Sequence, residues 1–433
     1  MLNYYLNWFL PRAREARTAR QLVGYSFGND LYTIWCGAHA TIEGQRDLYS
    51  PEIAHQIQMG LYGRPIDPSR AGDPKDLRIF GYPAFTELLF WPFSLFSFEV
   101  ARPIFLAILF VLIPITIAFW MRSLSWRPDW LWTVVVLMLV LTSYPALEAL
   151  YAGQVGVFVG FSLAACIVAL RRGRLLLAGT LMALGTIKPH VMLLPIVYLG
   201  LWTMSDWRRR RMFCVGLLST QALLVGGALV VWPRWIQSWI HVAVQYHNYT
   251  PPPLTIQMLT TLAGPAARPV ALLAMGGLLL TAFVLSWKNR AASPQSQEFC
   301  FTVSILLAIT VGVLLPGHAV YDHLILLPGI FLLARTWRKL PDNWATKAML
   351  ITALGTLLWP WIASILLIPI HSLLERREFY SMSILGLPLR MAAGLPFIVL
   401  ALLVLAYRSR SLNYDAHGPV LGVARQPGLP PNS

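Results

Sequence analysis

Charged residues and cysteines are both scarce in this chain of 433 residues. Charged residues make up 12% and hydrophobic residues 57%, and the four cysteines show neither a disulfide framework nor a metal-ligand spacing. Such a composition excludes an ordinary soluble domain and is typical of a multi-span membrane protein. Because most basic residues flank apolar runs, we attribute the net charge of +15 to membrane topology and anionic lipid rather than to nucleic acid.

Apolar runs near the length of a membrane span fill most of the chain. They lie at 103–121, 130–150, 154–170, 212–232, 268–287, 299–315, 319–335, 347–369 and 391–407. Leu175–Ile187 and His190–Trp202 are shorter, each ~20 Å long as a helix against the ~30 Å of a hydrocarbon core. We therefore predict an all-α polytopic membrane protein, a bundle of about 11–12 transmembrane helices with external juxtamembrane helices.

Lys188 lies between the two short runs, which form either one long kinked helix or a helical hairpin. The hairpin places the basic clusters of the loops on one side of the membrane, whereas one long helix would divide them. Those clusters are Arg122 with Arg127, Arg171–Arg174, Arg208–Arg211, Lys288 with Arg290, Arg335 with Arg338 and Lys339, and Arg408 with Arg410. Since positive charges favour the cytoplasmic side, we predict a hairpin whose apex carries Lys188 toward the extracytoplasmic side.

The start of the chain conflicts with this topology, which puts residue 1 outside together with several arginines. Either Gln21–Ile42 is a poor span or a first helix precedes the given start, and we favour the missing helix. The chain then divides into an N-terminal segment (1–29), a first external loop with juxtamembrane helices (30–102), core transmembrane helices (103–232), a second external loop with an interfacial helix (233–267), C-terminal transmembrane helices (268–407) and a disordered cytoplasmic tail (408–433).

Polar residues that are costly inside a membrane gather at the predicted extracytoplasmic level. They are Asp30, Asp47, Tyr49 and Tyr82 of the first external region, Glu148 and Gln154, Lys188 and His190, and His318, Tyr321, Asp322 and His323. Ionisable residues in spans usually mark a site or a pathway. The structural alternatives are that Lys188 reaches out to the headgroups, that Asp30 caps a helix, and that His323 only packs.

Two further features have a structural explanation by default. Trp232, Trp235 and Trp239 suit an amphipathic helix lying on the membrane, and the alternative is that they shape an access for a lipid acceptor. Glu87 lies between two prolines, and we expect it on an interfacial helix rather than in a catalytic pair.

A cationic cavity that opens to lipid suits an amphiphile bearing a phosphate. Lys188 supplies a compact charge to phosphate oxygens, His190 and His318 donate to them when protonated, and Asp322 orients one of these cations. Asp30, in a polar turn at the external face, is the best candidate for a general base toward an acceptor hydroxyl. No nucleophile motif, phosphate-binding glycine loop or zinc pattern is convincing, so we expect neither a cofactor nor a metal.

Four segments resemble glycosyltransferase family 87, the polyprenol-phosphate-mannose-dependent mannosyltransferases of the GT-C class. GNDLYTIWCGAHATIEGQRDLY (Gly28–Tyr49) is similar to the aspartate-bearing start of the family's first external loop, and GYPAFTELLFWPF (81–93) is similar to its Tyr-Pro juxtamembrane segment. Residues 153–190 resemble its Gly-Gln turn, basic loop and Ile-Lys-Pro signature, and YDHLILLPGIFLL (321–333) resembles a later polar-to-apolar segment. The likeness covers roughly residues 25–335.

This resemblance implies a multi-pass enzyme of the cell membrane that transfers a sugar, with mannose expected, from a polyprenyl-phosphate donor to a hydroxyl of a lipid or glycan acceptor. The transfer would invert the sugar's configuration and take place on the extracytoplasmic face. Asp30 corresponds to the family's base and Lys188 to its donor-phosphate contact. The residues expected to support them or to bind substrate are Asp47, Tyr82, Glu148, Gln154, Tyr321, Asp322 and His323.

Two departures from the family and two alternative functions accompany this expectation. The family normally has a spanning helix before the aspartate, and a polar residue where this chain has Gly156. The main alternative is a polyprenyl-phosphate or glycolipid transporter or flippase without transferase activity, which needs the cationic cavity but no base. The second is a GT-C enzyme that moves another sugar, such as arabinose, or that glycosylates a protein.

Overall fold

Helices dominate the computed structural model, which describes residues 27–44, 47–67, 69, 77–317, 319–375 and 393–416. The α-helices are α1 (Asn29–Ile42), α2 (Pro51–Tyr62), α3 (Phe85–Phe90), α4 (Phe98–Ser123), α5 (Trp130–Leu141), α6 (Tyr144–Ala152), α7 (Gly156–Arg171), α8 (Leu175–Leu184), α9 (Pro189–Met204), α10 (Trp207–Val231), α11 (Trp235–Tyr249), α12 (Leu254–Ala263), α13 (Arg268–Lys288), α14 (Gln297–Val313), α15 (Leu327–Thr336), α16 (Trp344–Leu373) and α17 (Leu395–Ala416). Short 3₁₀ segments are Trp91–Leu95, Gly185–Ile187, Pro265–Ala267, Val320–Leu326 and Trp337–Lys339. The only β-type pairing within these ranges is an isolated bridge between Pro253 and Pro316. The predicted all-α polytopic fold is confirmed.

Several sequence predictions concern residues outside these ranges. They include the N-terminal arginines, His318 and the tail beyond residue 416. The missing first helix and the domain boundaries stay predictions.

Four segments are long and apolar enough to cross a membrane by length and composition: α4, α10, Pro265–Lys288 and α16. Helices α5 and α6 are bent by 53° at their junction, and together they pass the same test as a fifth span. The other predicted spans correspond to apolar helices of 10–17 residues, such as α7 and α14, or to broken segments. The larger predicted number of crossings stays a prediction.

The segment around Lys188 is a hairpin, as predicted. The loop after α13 touches both of its basic ends: Ser205 Oγ donates to Arg290 O at 2.8 Å, and Gln295 Nε2 donates to Arg171 O at 2.9 Å. One continuous helix would hold Arg171 and Ser205 more than ~40 Å apart. The basic loops therefore meet at one end of the bundle, and the hairpin's apex lies at the other.

Glycines allow the hairpin to pack closely on α10. A Cβ on Gly179 would overlap the carbonyl oxygen of Phe213, and a Cβ on Gly216 would overlap that of Leu176. Small residues at such crossings are characteristic of helix pairs in membranes, where close backbone approach rather than the hydrophobic effect drives association. This contact fixes α8, and with it the position of the apex.

The centre of the bundle is formed by helices that are apolar on every side. Every residue of α14 from Phe301 to Val313 is buried, and α7 is buried from Leu163 to Leu170. An all-round apolar helix belongs in a core or a membrane. By contrast, α10 and α13 expose large apolar side chains such as Leu223 and Leu273, which suits lipid-facing positions.

Candidate active site

A cavity of about 580 Å³ opens where α1, the hairpin apex, α11 and the 3₁₀ segment before α15 meet. Eight of the predicted site residues line it: Asp30, Tyr82, Glu148, Gln154, Lys188, His190, Tyr321 and Asp322. These residues come from five separate parts of the chain. Asp47 and His323 do not belong to its lining, and His318 lies outside the described residues.

Lys188 owes its place at the apex to the proline that follows it. A residue before proline is pushed out of the helical region, and Lys188 accordingly has φ −117° and ψ 83°. The 3₁₀ turn Gly185–Ile187 ends there, and Pro189 opens α9 at the position where proline is favoured. The Lys-Pro pair therefore breaks the hairpin at the point where the lysine enters the cavity wall.

Lys188 is 4% exposed and donates to both carboxylate oxygens of Asp322, at 2.8 and 2.9 Å. Its Nζ also lies 4.8 Å from the centre of the Tyr321 ring, a cation–π distance. The alternative that Lys188 reaches out to the headgroups is therefore wrong. A lysine ammonium carries three hydrogens, so one remains for a ligand when two point to Asp322.

Gly156 makes room for this ion pair. A Cβ at Gly156 would overlap Asp322 Oδ1 and would lie 3.1 Å from Lys188 Nζ. A polar side chain at this position, which the family resemblance leads us to expect, would occupy the space that the ion pair fills. The departure from the family pattern is thus matched by a packing reason.

Asp30 lies in the first turn of α1, where the helix dipole favours a negative charge. The helix start is held against the turn after α6, because Gly28 N donates to Tyr151 O at 2.8 Å. Gly153, with φ +68°, forms that turn, and a Cβ there would lie 2.9 Å from Leu31 Cβ. This close approach brings Gln154 to the Asp30 carboxylate.

Both oxygens of Asp30 accept hydrogen bonds from side chains. Arg78 Nη1 donates to Oδ1 at 3.1 Å, and Gln154 Nε2 donates to Oδ2. The N-cap of α1 is Gly28, without a side-chain cap, so the helix-cap explanation for Asp30 is wrong. Because each carboxylate oxygen has two lone pairs, Asp30 can still accept a hydrogen bond from a hydroxyl group of a substrate in the cavity.

The turn that carries Tyr82 is held from two sides. Tyr49 donates its hydroxyl to Tyr82 O at 2.8 Å, and Trp239 of α11 donates Nε1 to Gly81 O at 3.2 Å. Burial holds the pKa of Tyr82 well above its ordinary value, and the charges of Asp30 and Asp322 raise it further. The Tyr82 hydroxyl is therefore neutral, and it shares the cavity with both carboxylates.

The tryptophans before and within α11 differ from the surface belt that their spacing suggests. Trp232 and Trp235 are buried against protein, and Trp235 meets the ring of Phe85 edge-on at 5.9 Å. Trp239 lines the cavity. The default of an aromatic belt on the membrane is wrong for Trp232 and Trp235, and Trp239 fits the alternative of a cavity-lining side chain. Ile240 and Val244 form the exposed apolar side of α11.

Three acidic or basic residues lie apart from the cavity. Asp47 Oδ1 accepts the backbone N–H of Tyr49 at 3.0 Å, an ordinary turn contact, and His323 is buried. Glu87, on α3, is 1% exposed, and neither of its carboxylate oxygens has a hydrogen-bond partner. Burial raises the pKa of Glu87 well above its ordinary value, so its side chain is a neutral acid inside the fold. The expectation that α3 is an interfacial helix stays a prediction.

Sequence reasoning missed Arg78, Tyr246 and His247, which also line the cavity. Arg78 lies at the end of a polar stretch without periodicity, and it has a positive φ of 49° that no pattern signals. Tyr246 and His247 belong to the amphipathic α11, whose sequence shows two faces but not which of them meets the cavity. Within the described ranges, no group of three or more His, Cys, Asp or Glu side chains is placed to hold a metal ion.

Fold and cavity define an all-helical, multi-pass membrane protein with a charged site at the end of the bundle opposite its basic loops. The chain belongs to glycosyltransferase family 87, because the model of that family matches residues 80–316, more than half of its length. It is therefore a membrane glycosyltransferase. The matched region includes Gln154 and Lys188, whereas Asp30 and Asp322 lie outside it. A comparison with curated proteins finds no match.

Proposed function

We propose that this protein is an inverting glycosyltransferase that moves mannose from a polyprenyl-phosphate donor to a hydroxyl of a lipid or glycan acceptor on the extracytoplasmic face. The observation that carries the proposal is that one cavity holds both a carboxylate, Asp30, and a buried ammonium, Lys188. A base and a phosphate-binding cation are the two groups that this reaction needs.

The cation end of the cavity suits the donor phosphate. Lys188 is fixed by Asp322 and by the ring of Tyr321, so its remaining donor points from a defined position. His190 follows Pro189 on the same apex, and its side chain is exposed to the cavity. Fixed donors in a water-poor site stabilise a leaving phosphate more than mobile water does, because they do not have to reorient.

The carboxylate end suits the acceptor. In the proposed step, the acceptor hydroxyl gives its proton to Asp30 while its oxygen attacks the anomeric carbon of the sugar. The bond between that carbon and the phosphate oxygen breaks, and the electron pair leaves with the polyprenyl phosphate beside Lys188. Attack from the side opposite the leaving group inverts the configuration. Arg78 and Gln154 keep the carboxylate in place during this proton transfer.

Two features support an extracytoplasmic, lipid-fed site. The cavity lies at the end of the hairpin opposite the loops of Arg171, Arg210 and Arg290, and positive loops are usually cytoplasmic. Ile240 and Val244 on the outer side of α11 are exposed and apolar, as expected for a helix beside the lipid from which a polyprenyl chain would arrive.

The direct test is to incubate the purified protein in lipid nanodiscs with radiolabelled polyprenyl-phosphate-mannose and total membrane lipid. Labelled product should form, and Asp30→Asn should lower turnover by at least ~100-fold while the protein stays folded. Asp47→Asn is the matched control, because it changes an aspartate of the same external region that lies outside the cavity. Near-normal turnover of Asp30→Asn would remove Asp30 from the base role.

The transporter alternative predicts a different result in the same preparation. A carrier would move the intact donor across the membrane of a proteoliposome without forming a labelled product, and Asp30 would be dispensable. A labelled product that forms only with a donor bearing another sugar would keep the transferase and replace mannose.

A further inference from the structure

Two phenol hydroxyls in the cavity have no role in the mechanism above. Tyr82 and Tyr321 both line the cavity, although they come from the first external region and from the segment before α15. Part of each side chain faces the cavity. Among the residues that the structure describes, neither phenol hydroxyl has a hydrogen-bond partner, since Tyr82 is bonded only through its carbonyl and Tyr321 contacts Lys188 only through its ring.

These two side chains share one cavity with the charged groups of the proposed reaction. Asp30, Lys188 and Asp322 line the same cavity as the two tyrosines. Tyr321 also contacts the Lys188 ammonium with its ring. The pair therefore faces the same cavity as the Asp30 carboxylate and the Lys188 ammonium.

The proposed reaction fixes what must lie in that space. The acceptor oxygen stands beside Asp30 and the leaving phosphate beside Lys188, so the sugar whose anomeric carbon they share must lie between them. A hexose presents hydroxyl groups at its rim and C–H groups on its faces. Phenols match both, because the hydroxyl donates and accepts while the ring face attracts weakly positive hydrogens.

We propose that Tyr82 and Tyr321 bind the transferred sugar of the donor, with their hydroxyls hydrogen-bonded to hydroxyls of the hexose. This assignment rests on the proposed function. Two parts of the donor are then bound by different residues. Lys188 binds the phosphate, which every polyprenyl phosphate has, and the tyrosines bind the sugar, which bare polyprenyl phosphate lacks.

The test compares two lipids in equilibrium binding, without any transfer. Polyprenyl-phosphate-mannose and bare polyprenyl phosphate each compete against a fluorescent polyprenyl phosphate on the protein in nanodiscs. The native protein should bind the sugar-bearing lipid more tightly. In the double variant Tyr82→Phe/Tyr321→Phe this preference should fall by ~10-fold or more, because each lost hydrogen bond weakens binding by ~3- to 10-fold. Affinity for the bare lipid should stay unchanged, since both rings are retained.

Two controls give the result its meaning. Lys188→Ala should weaken the binding of both lipids alike. Tyr198→Phe should change neither, since it removes a hydroxyl that donates to Asn289 O at the far end of the bundle. A double tyrosine variant that keeps the native preference, or that loses both lipids equally, would overturn the sugar assignment. So would a native protein that binds the two lipids equally well.

The same binding experiment distinguishes failure of the proposed function from failure of the tyrosine assignment. If the native protein binds neither polyprenyl lipid, the donor class itself is wrong and the tyrosine assignment falls with it. If a glucose-bearing lipid shows the preference and the mannose-bearing one does not, the tyrosines keep their role and only the sugar changes.

Discussion

Lys188 and Asp322 are 134 positions apart in the sequence, and they form a buried, two-pronged ion pair at 2.8 and 2.9 Å. Each residue is only 4% exposed, so the charge of each compensates the buried charge of the other. A pair of this kind contributes little compared with an apolar substitute, but loss of one partner is costly. The pair therefore links the stability of the bundle to the position of the donor-binding ammonium.

Removing Asp322 alone should destabilise the protein strongly. Asp322→Ala leaves a buried ammonium unpaired, and we expect the free energy of unfolding to fall by about 3–5 kcal/mol. The double variant Lys188→Met/Asp322→Ala should recover much of the loss, because no charge remains. Thermal and denaturant unfolding in detergent measures both. Asp342→Ala breaks the exposed pair with Lys347 and should cost no more than ~1 kcal/mol. Equal losses in the single and double variants would contradict this account.

Removing Lys188 should weaken donor binding. Lys188→Ala takes away the buried cation of the cavity, and we expect the affinity for a polyprenyl-phosphate sugar to fall at least ~10-fold. Equilibrium binding in nanodiscs measures it. Lys188→Ala/Asp322→Ala should bind as weakly as the single variant although it is more stable, which separates loss of the site from loss of the fold. Binding at the native level in both variants would exclude a phosphate role.

Adding one methyl group at Gly156 should displace the ion pair. The new Cβ of Gly156→Ala would overlap Asp322 Oδ1, so the carboxylate must move and the Lys188 ammonium with it. We expect weaker donor binding and a lower unfolding temperature. Gly160→Ala is the matched control, one turn later on α7, where nothing lies within 4 Å of an added Cβ. Indistinguishable behaviour of the two alanine variants would mean that the space beside the ion pair is not needed.

Glu87 should make stability depend on pH. Its pKa is raised by burial, so the folded state keeps the proton while the unfolded chain loses it above pH 4.5, the ordinary pKa. The folded state binds more protons in that window, and stability is full below it and falls as pH rises toward the folded pKa, by up to ~1.4 kcal/mol per pH unit.

Glu87→Gln cannot ionise and should remove this slope. The variant should gain stability relative to the native protein between pH 5 and pH 8, as measured by denaturant unfolding at several pH values. Glu43→Gln changes an exposed glutamate near the end of α1 and should leave the slope in place. Parallel pH profiles for Glu87→Gln and the native protein would show that Glu87 is not held neutral.

Much of the cavity lining was predictable because its residues are polar or charged within apolar stretches of the sequence. Lys188 stands out as a charge within an apolar hairpin, and Pro189 after it marks the break between two helices. Asp322 and Gln154 stand out for the same reason. The prediction was wrong for Trp232 and Trp235, because aromatic spacing alone does not distinguish a side chain that faces lipid from one that packs against protein.

Site residues in polar stretches of the sequence do not differ from their neighbours in this way, so they are harder to predict. Arg78 contacts Asp30 at 3.1 Å, but it lies in a polar stretch of the sequence, where an arginine is ordinary and does not indicate a site. Asp47 was included among the candidates by its position in the same external region, and its carboxylate instead holds a local turn with Tyr49.

The sequence alone determined that the chain is a bundle of membrane helices with a doubled-back pair at Lys188, since long apolar runs, proline and the distribution of arginine act locally. Only the tertiary structure decided which acid meets which base. Asp30 lies with Arg78 and Gln154, and Lys188 lies with Asp322. The pairing of Asp30 with Gln154 depends on the close approach at Gly153, and that of Lys188 with Asp322 depends on the space at Gly156. Both join segments more than a hundred residues apart, and a local sequence pattern cannot predict such a contact.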